Sequence, residues 1–159
     1  MKVGRPAVIF DPAEWLPPEG ESRVAFNSVG LGVTLSVEYE KCITGSDEQE
    51  IVNLYKREII FGYASYFMKF PIPGRSIFQL DQQSKKRPLG PLIEFLDSEF
   101  AESCQTDDVM RFNNTMPKIR HFSILFLSEN LRFDVLAEEY YLSDEIQIDK
   151  LSAYPHQQI

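Results

Sequence analysis

The chain of 159 residues has the length of one domain, and we expect a single domain over 1–159 with an irregular arm at 1–20 and a frayed tail at 151–159. Hydrophobic residues make up 43% of it, which is more than a disordered chain contains and predicts a packed core. The 24 acidic residues exceed the 16 lysines and arginines, giving a net charge of −8. This charge disfavours nucleic acid and anionic membranes as partners, because both are bound by cationic surfaces.

Cysteine content and hydropathy predict a cytoplasmic protein. The two cysteines, Cys42 and Cys104, are too few for a disulfide scaffold and predict free, partly buried thiols in a reducing compartment. The N-terminal residues lack the apolar segment of a signal peptide. No run reaches the roughly 18 apolar residues that a membrane helix needs.

The first element is a proline-rich arm. Four prolines within residues 1–20 predict irregular, mostly extended structure, because proline fixes φ and lacks an N–H donor. Trp15 lies in this arm and is expected to pin it to the core by burying a large ring. A role for Trp15 as a surface anchor for a partner is the alternative.

A β-hairpin follows the arm. Apolar and polar residues alternate over 30–43, which predicts a half-buried strand with one wet face. Residues 23–29 are predicted to be its partner, through a turn at 29–32 that contains two glycines. The apolar members of the alternation are Val33, Leu35, Val37 and Tyr39.

The next segment combines a helix signal with a strand signal. Ser46 and Gln49 are spaced as in a capping box, which predicts a short helix over 47–54. Residues 55–70 are rich in aromatic and β-branched side chains and are predicted to be a strand. A longer helix running on from residue 47 is the competing interpretation, weakened by a central glycine.

The C-terminal half predicts one more helix and a second hairpin. Apolar residues at helical spacing predict an amphipathic helix over 91–104 with an acidic outer face. Alternating residues over 119–127 and 131–142 predict a hairpin. Because hairpin-length connections dominate, we expect an α+β fold with a mainly antiparallel β-sheet and one or two helices packed on it.

The sequence contains no recognisable catalytic or cofactor motif. His121 is the one histidine before the C-terminal tail, and it is expected at a surface or an interface, on the less apolar face of its strand. Pairing of Cys42 or Cys104 with His121 has no local signature, and zinc, calcium and phosphate-binding spacings do not occur. Glu38 and Glu40 are expected on the wet face of a strand. We therefore predict a non-enzymatic protein with no catalytic residue, no metal and no cofactor.

Acidic residues are concentrated in two stretches without lysine or arginine, six in 88–110 and six in 133–149, together half of the 24 acids. Summed like charge steers a protein toward a basic partner. An ordinary solvated face is the competing interpretation, because surface charge also serves solubility. The residues predicted to bind a partner are Glu94, Asp97, Glu102, Asp107, Asp108, Glu138, Glu139, Tyr141, Asp144 and Glu145.

The C-terminal third resembles a known class of proteins. The apolar segments 121–127 and 133–139, together with small size, acidity and cytoplasmic character, resemble the closing hairpin of small acidic immunity proteins from bacterial toxin–immunity systems. The resemblance implies a stoichiometric inhibitor that binds a secreted toxin domain and blocks its active site. Many such toxins are basic nucleases, for which an acidic surface mimics the nucleic-acid substrate.

The leading hypothesis is therefore an immunity protein that binds a cognate toxin or effector with a basic surface. One alternative is an escort chaperone for a secreted effector, since those proteins are also small, acidic and α+β. A second alternative is an enzyme whose site is assembled from scattered residues around His121.

Overall fold

The computed structural model describes residues 1–16, 23–44, 50–73, 77–79, 82, 90–112 and 118–148. Within these ranges one α-helix and a series of strands are formed, and a short 3₁₀ turn spans Pro12–Glu14. The elements are β1 Pro6–Phe10, β2 Arg23–Val29, β3 Gly32–Thr44, β4 Glu50–Gly62, β5 Tyr66–Pro71, β6 Leu92–Phe95, α1 Glu99–Phe112, β7 Arg120–Phe126, β8 Leu131–Ala137, β9 Glu139–Leu142 and β10 Ile146–Ile148.

The strands form two antiparallel sheets. Sheet 1 has the order β1-β6-β7-β8-β5, and sheet 2 has the order β10-β4-β3-β2, with β9 beside the C-terminal end of β4. The expectation of mainly antiparallel structure is confirmed. With α1 as the one α-helix of the described ranges, the fold is consistent with α+β and equally with a mainly-β assignment.

The main core lies between the two sheets. Alternation places one face of β3 and β4 against one face of β7 and β8, as the period of two in a strand requires. The predicted apolar face of β3 is confirmed, because its four alternating residues are buried. Residues that fill this core include Leu35, Tyr39, Ile59, Phe61, Leu92, Phe122, Ile124, Phe126, Phe133 and Val135.

The other face of sheet 1 is also buried. Helix α1 packs on it through Ala101 and Cys104, which contact Ile119 and Leu136. A neighbouring cluster is built around Phe78 and includes residues of the N-terminal segment and β6. Sheet 1 is therefore a middle layer, with sheet 2 on one side and α1 on the other.

A two-stranded ribbon bends from one sheet into the other. The β4–β9 pair in sheet 2 continues as the β5–β8 pair in sheet 1. Hydrogen bonds from Glu138 N to Gly62 O and from Ser65 N to Leu136 O carry the ladder through the bend. A Cβ atom at Gly62 would lie 2.7 Å from Oε1 of Glu139, so a larger residue there would force the Glu139 side chain to shift.

Two expectations for the first half of the chain need correction. Part of the arm is a strand, because β1 pairs with β6 at the edge of sheet 1. Residues 50–54 of the expected helix belong to β4, whose long pairing with β3 overrides the local helix signal; residues 45–49 lie outside the described ranges. The strand prediction for 55–70 is confirmed apart from the bend at 63–65. Trp15 packs on Tyr39 and confirms the anchoring of the arm.

Two expectations for the second half are corrected as well. The helix predicted over 91–104 was wrong at its start, because residues 92–95 form β6 and α1 begins at Glu99. The apolar residues of β6 face both sides of a middle sheet, and this pattern imitates helical spacing. The hairpin is confirmed as β7 and β8, but its second arm ends at Ala137 and the chain then crosses to sheet 2.

No helix in the described part of the chain is long and apolar enough to cross a membrane. Both cysteines are free thiols, as predicted. Cys104 is buried on the side of α1 that packs on sheet 1, whereas Cys42 is exposed and not partly buried as expected.

Candidate functional site

The most polar part of the interior lies between sheet 1 and α1. His121 on β7 is completely buried there, so the expectation of a surface or interface histidine was wrong. His121 does lie on the predicted face of its strand, which points away from the core between the two sheets, but α1 covers this face. Its ring is bordered by the rings of Phe78, Phe95 and Phe100, with centroids 5.1–5.8 Å away.

Each ring nitrogen of His121 faces a polar side chain. Nδ1 lies 2.8 Å from Oγ of Ser98, and Nε2 lies 3.5 Å from Oδ1 of Asp134. The same Oδ1 accepts a hydrogen bond of 2.7 Å from the guanidinium of Arg132. Ser98, His121, Asp134 and Arg132 thus form a continuous chain, and none is more than 4% exposed. We call these four residues the buried polar chain.

Local structure explains how these side chains meet. Ser98 precedes α1, where its Oγ accepts from Ala101 N and its carbonyl oxygen accepts from Glu102 N, as a helix-capping serine does. His121 is paired with Leu136 in the β7–β8 ladder, so Asp134 is its diagonal neighbour on the same face. The strand register and the start of α1 therefore bring three distant parts of the sequence together.

Burial and neighbouring charge assign the charge state of Asp134. Burial alone would raise the pKa of Asp134, but the imidazole of His121 beside it and the charge of Arg132 outweigh the effect of burial and hold that pKa below its ordinary value. Asp134 is therefore an anion at neutral pH. An anion beside Nε2 favours the tautomer with the proton on Nε2, which leaves Nδ1 to accept a proton from Ser98.

A pocket of about 390 Å³ opens beside the buried polar chain. Ser98 and His121 line it, together with apolar side chains of β6, α1 and the residue before β7. Charged side chains also line it, namely Glu94, Glu102, Lys118 and Arg120. Glu94 and Arg120 are paired by two hydrogen bonds of 3.0 and 2.6 Å.

The predicted partner-binding residues of the first acidic stretch are dispersed. Glu94 is neutralised by Arg120 and is largely covered, with 13% of its side chain exposed. Asp97 and Glu102 are exposed, on the turn before α1 and on its first turns. Asp107 and Asp108 belong to α1, but their side chains lie outside the described part.

The residues of the second stretch lie along the edge of sheet 2. Glu138 and Glu139 are half-buried, Tyr141 and Asp144 are exposed, and Glu145 accepts hydrogen bonds from Tyr39 and Lys41. The hydrogen bond of Tyr141 to Glu139 raises the pKa of the phenol.

The acids of the two stretches belong to different layers. The acids of α1 lie on the face of sheet 1 that points away from sheet 2. Strands β9 and β10 lie at the edge of sheet 2, on the opposite side of sheet 1. Asp134 was counted in the second stretch, but it is 1% exposed and paired with Arg132, so it contributes nothing to a surface.

Sequence reasoning missed Ser98, Arg132 and Asp134 as partners of His121. A signal was present, because the polar residues Arg132 and Asp134 alternate with apolar ones on a strand that pairs with the His121 strand. Their burial could not be foreseen from the strand pattern, because it depends on the position of α1 over sheet 1.

The described residues contain no group of three or more histidine, cysteine or acidic side chains placed to hold a metal ion. Comparisons with protein-family models, with curated proteins and with solved structures found no match.

Proposed function

We propose that the chain is a binding protein for a basic protein partner, and specifically an immunity protein that inhibits a bacterial toxin domain. The observation that carries the proposal is a surface at the edge of sheet 2 where exposed aromatic and apolar side chains alternate with acids. We call this the edge surface; its residues are Tyr63, Glu139, Tyr141, Asp144 and Ile146.

The strand register supports a common orientation for the residues of the edge surface that lie in strands. Glu139, Tyr141 and Ile146 are paired with Gly62, Ile60 and Lys56 of β4. These even-numbered positions of β4 face away from the core that Ile59 and Phe61 fill. The edge surface therefore follows one side of β4 for several residues.

Exposure of large side chains gives this surface the composition of an interface. Tyr63, Tyr141 and Ile146 are 56%, 53% and 58% exposed. Aromatic rings supply much of the binding energy at protein interfaces, whereas charges at the rim govern the association rate. Glu139 and Asp144 provide that charge, in a chain whose net charge is −8. A cationic partner is therefore the complementary one.

The test is co-expression with the polypeptide encoded immediately upstream of the gene. We expect a stoichiometric complex with the folded partner and protection of the host cell from its toxicity. A complex that forms only with an unfolded segment of the partner would favour the escort chaperone instead. Failure to form any complex, or a complex without protection, would contradict the immunity function.

A further inference from the structure

We propose that the pocket beside the buried polar chain is an acyl-transfer site in which Ser98 is the nucleophile and His121 is its base. This inference goes beyond the docking proposed above, because it uses a different layer of the molecule and none of the edge surface. It develops the alternative of an enzyme built around His121, with partners that only the structure reveals.

The arrangement has the two contacts that link nucleophile, base and carboxylate in catalysis by serine. The hydroxyl of Ser98 is 2.8 Å from one imidazole nitrogen, and a carboxylate faces the other nitrogen at 3.5 Å. Such sites are recognised by geometry and roles and not by the order of residues in the chain. Here Nδ1 faces the nucleophile and Nε2 faces Asp134, and the carboxylate fixes the tautomer in which Nδ1 is the base.

A capping role alone does not account for the whole arrangement. Capping of α1 needs only the Ser98 oxygen as an acceptor for Ala101 N, which it already is at 3.3 Å. The imidazole and the carboxylate add nothing to that cap, and burying them with Arg132 carries a desolvation cost. Moreover, Nε2 of His121 and Oδ2 of Asp134 have no hydrogen-bond partner within normal distance among the described residues.

The pocket defines the class of substrate. Ser98 is only 2% exposed, so the reacting group must be slender enough to enter from the pocket. The lining combines the apolar side chains of Phe95, Ala101 and Ile119 with the charged side chains of Glu94, Glu102, Lys118 and Arg120. The start of α1 adjoins Ser98, but its N–H groups at Glu99 and Ala101 already donate to Lys2 O and Ser98 Oγ, so the helix favours a developing oxyanion through its dipole. A small ester or thioester of a short acyl group fits these features.

The chemical step balances with these groups alone. The Ser98 Oγ forms a bond to the acyl carbon while its proton moves to Nδ1 of His121, and the carbonyl electron pair moves to oxygen. Collapse of this intermediate breaks the bond to the leaving group, which departs with the proton from Nδ1. Water then repeats the sequence and releases the acid, with Asp134 as a positioning residue for the imidazole.

Covalent labelling of the full-length protein with diisopropyl fluorophosphate tests the proposal. In this reaction a bond forms between Ser98 Oγ and phosphorus, and fluoride leaves with the proton. We expect one phosphoryl group per chain, located on Ser98 by peptide mass mapping. Ser98→Gly should reduce labelling at least 100-fold while preserving α1, since glycine caps a helix nearly as well as serine.

Matched variants separate chemistry from folding. Ser123→Ala removes another buried serine on the same face of β7 and should leave labelling unchanged. His121→Gln should reduce labelling as far as Ser98→Gly, while circular dichroism reports the folded fraction. The proposal would be overturned if the wild-type protein were labelled no more than Ser98→Gly, or if its label were on a different residue. An equal loss of labelling in Ser123→Ala would also overturn it.

The positioning role of Asp134 has its own readout. The groups that face His121 are Ser98, Asp134 with its partner Arg132, and uncharged phenylalanine rings. Asp134→Asn keeps the shape but removes the charge, so it should shift the pH profile of labelling in the folded protein as well as lower its rate. An unshifted profile would leave Asp134 with a structural role only and would refute its part in the site.

Discussion

Removal of the negative charge of Asp134 is the perturbation with the largest effect that the structure predicts. Its carboxylate lies 2.7 Å from the guanidinium of Arg132, whose side chain is 5% exposed. Asp134→Asn keeps the size of the side chain but leaves this buried cation without its counterion. Breaking such a pair costs about 3–5 kcal/mol of unfolding free energy. For a chain of this length the melting temperature should fall by about 6–20 °C.

Acid should remove the same contribution from the wild-type protein. Burial raises the pKa of Asp134, but the neighbouring imidazole of His121 and the charge of Arg132 more than offset it, so the folded-state pKa lies below the ordinary value of 3.8. A carboxyl with a lowered pKa stabilises the fold fully above its unfolded-state pKa and loses that contribution as the pH falls through the folded-state pKa. This part of the stability therefore declines below about pH 4, and Asp134→Asn lacks it.

Urea unfolding followed by far-ultraviolet circular dichroism, at neutral pH and at about pH 3, measures both effects. Glu94→Gln is the matched control, because it breaks the pair with Arg120, whose two side chains are 13% and 29% exposed. Water replaces much of that interaction, so its loss should cost about 1 kcal/mol or less. If Asp134→Asn cost no more than Glu94→Gln, the buried polar chain would not stabilise the interior as argued.

Two further predictions concern the bend and the thiols. Gly62→Ala places a Cβ atom 2.7 Å from Glu139 Oε1 and should destabilise the protein by about 1–3 kcal/mol in the same unfolding assay. The double variant with Glu139→Ala should recover most of this stability. If the effects of the two substitutions were fully additive, the contact would not be the cause. Cys42 is exposed and should react with a thiol reagent in the folded protein, whereas Cys104 should react only after unfolding; equally fast reaction of both would contradict the packing of α1.

The sequence predicted the elements in which apolar residues alternate regularly with polar ones. The β2–β3 hairpin follows from the alternation at Val33, Leu35, Val37 and Tyr39, and β7 with β8 follows from a similar pattern. Strong local periodicity was sufficient there, because the inward face of each strand packs on one core.

Other elements of the middle layer could not be predicted in this way. Residues 92–95 are apolar on both faces because sheet 1 is covered on both sides, and a short apolar run does not distinguish a strand from a helix. The pairing of β1 with β6 joins residues that are far apart in sequence, and no local signal reports it. The site depended on the same information, since His121 meets Ser98 only because α1 covers β7.

The acidic stretches also show the limit of counting charges. Glu94, Asp134 and Glu145 contribute to the count, yet each is held by a basic partner in the structure. Whether an acid is available to a partner depends on such contacts. Glu139 and Asp144 are the acids of the second stretch that belong to the edge surface.

The proposed docking is tested most directly by measuring association of the folded protein with its co-encoded partner over a range of salt concentrations. Asp144→Lys on the edge surface and Asp97→Lys before α1 change the net charge equally, but at different layers. Docking at the edge surface predicts that Asp144→Lys slows association about tenfold and reduces its salt dependence, while Asp97→Lys has a small effect. Equal effects of the two variants, or a larger effect of Asp97→Lys, would contradict docking at this surface.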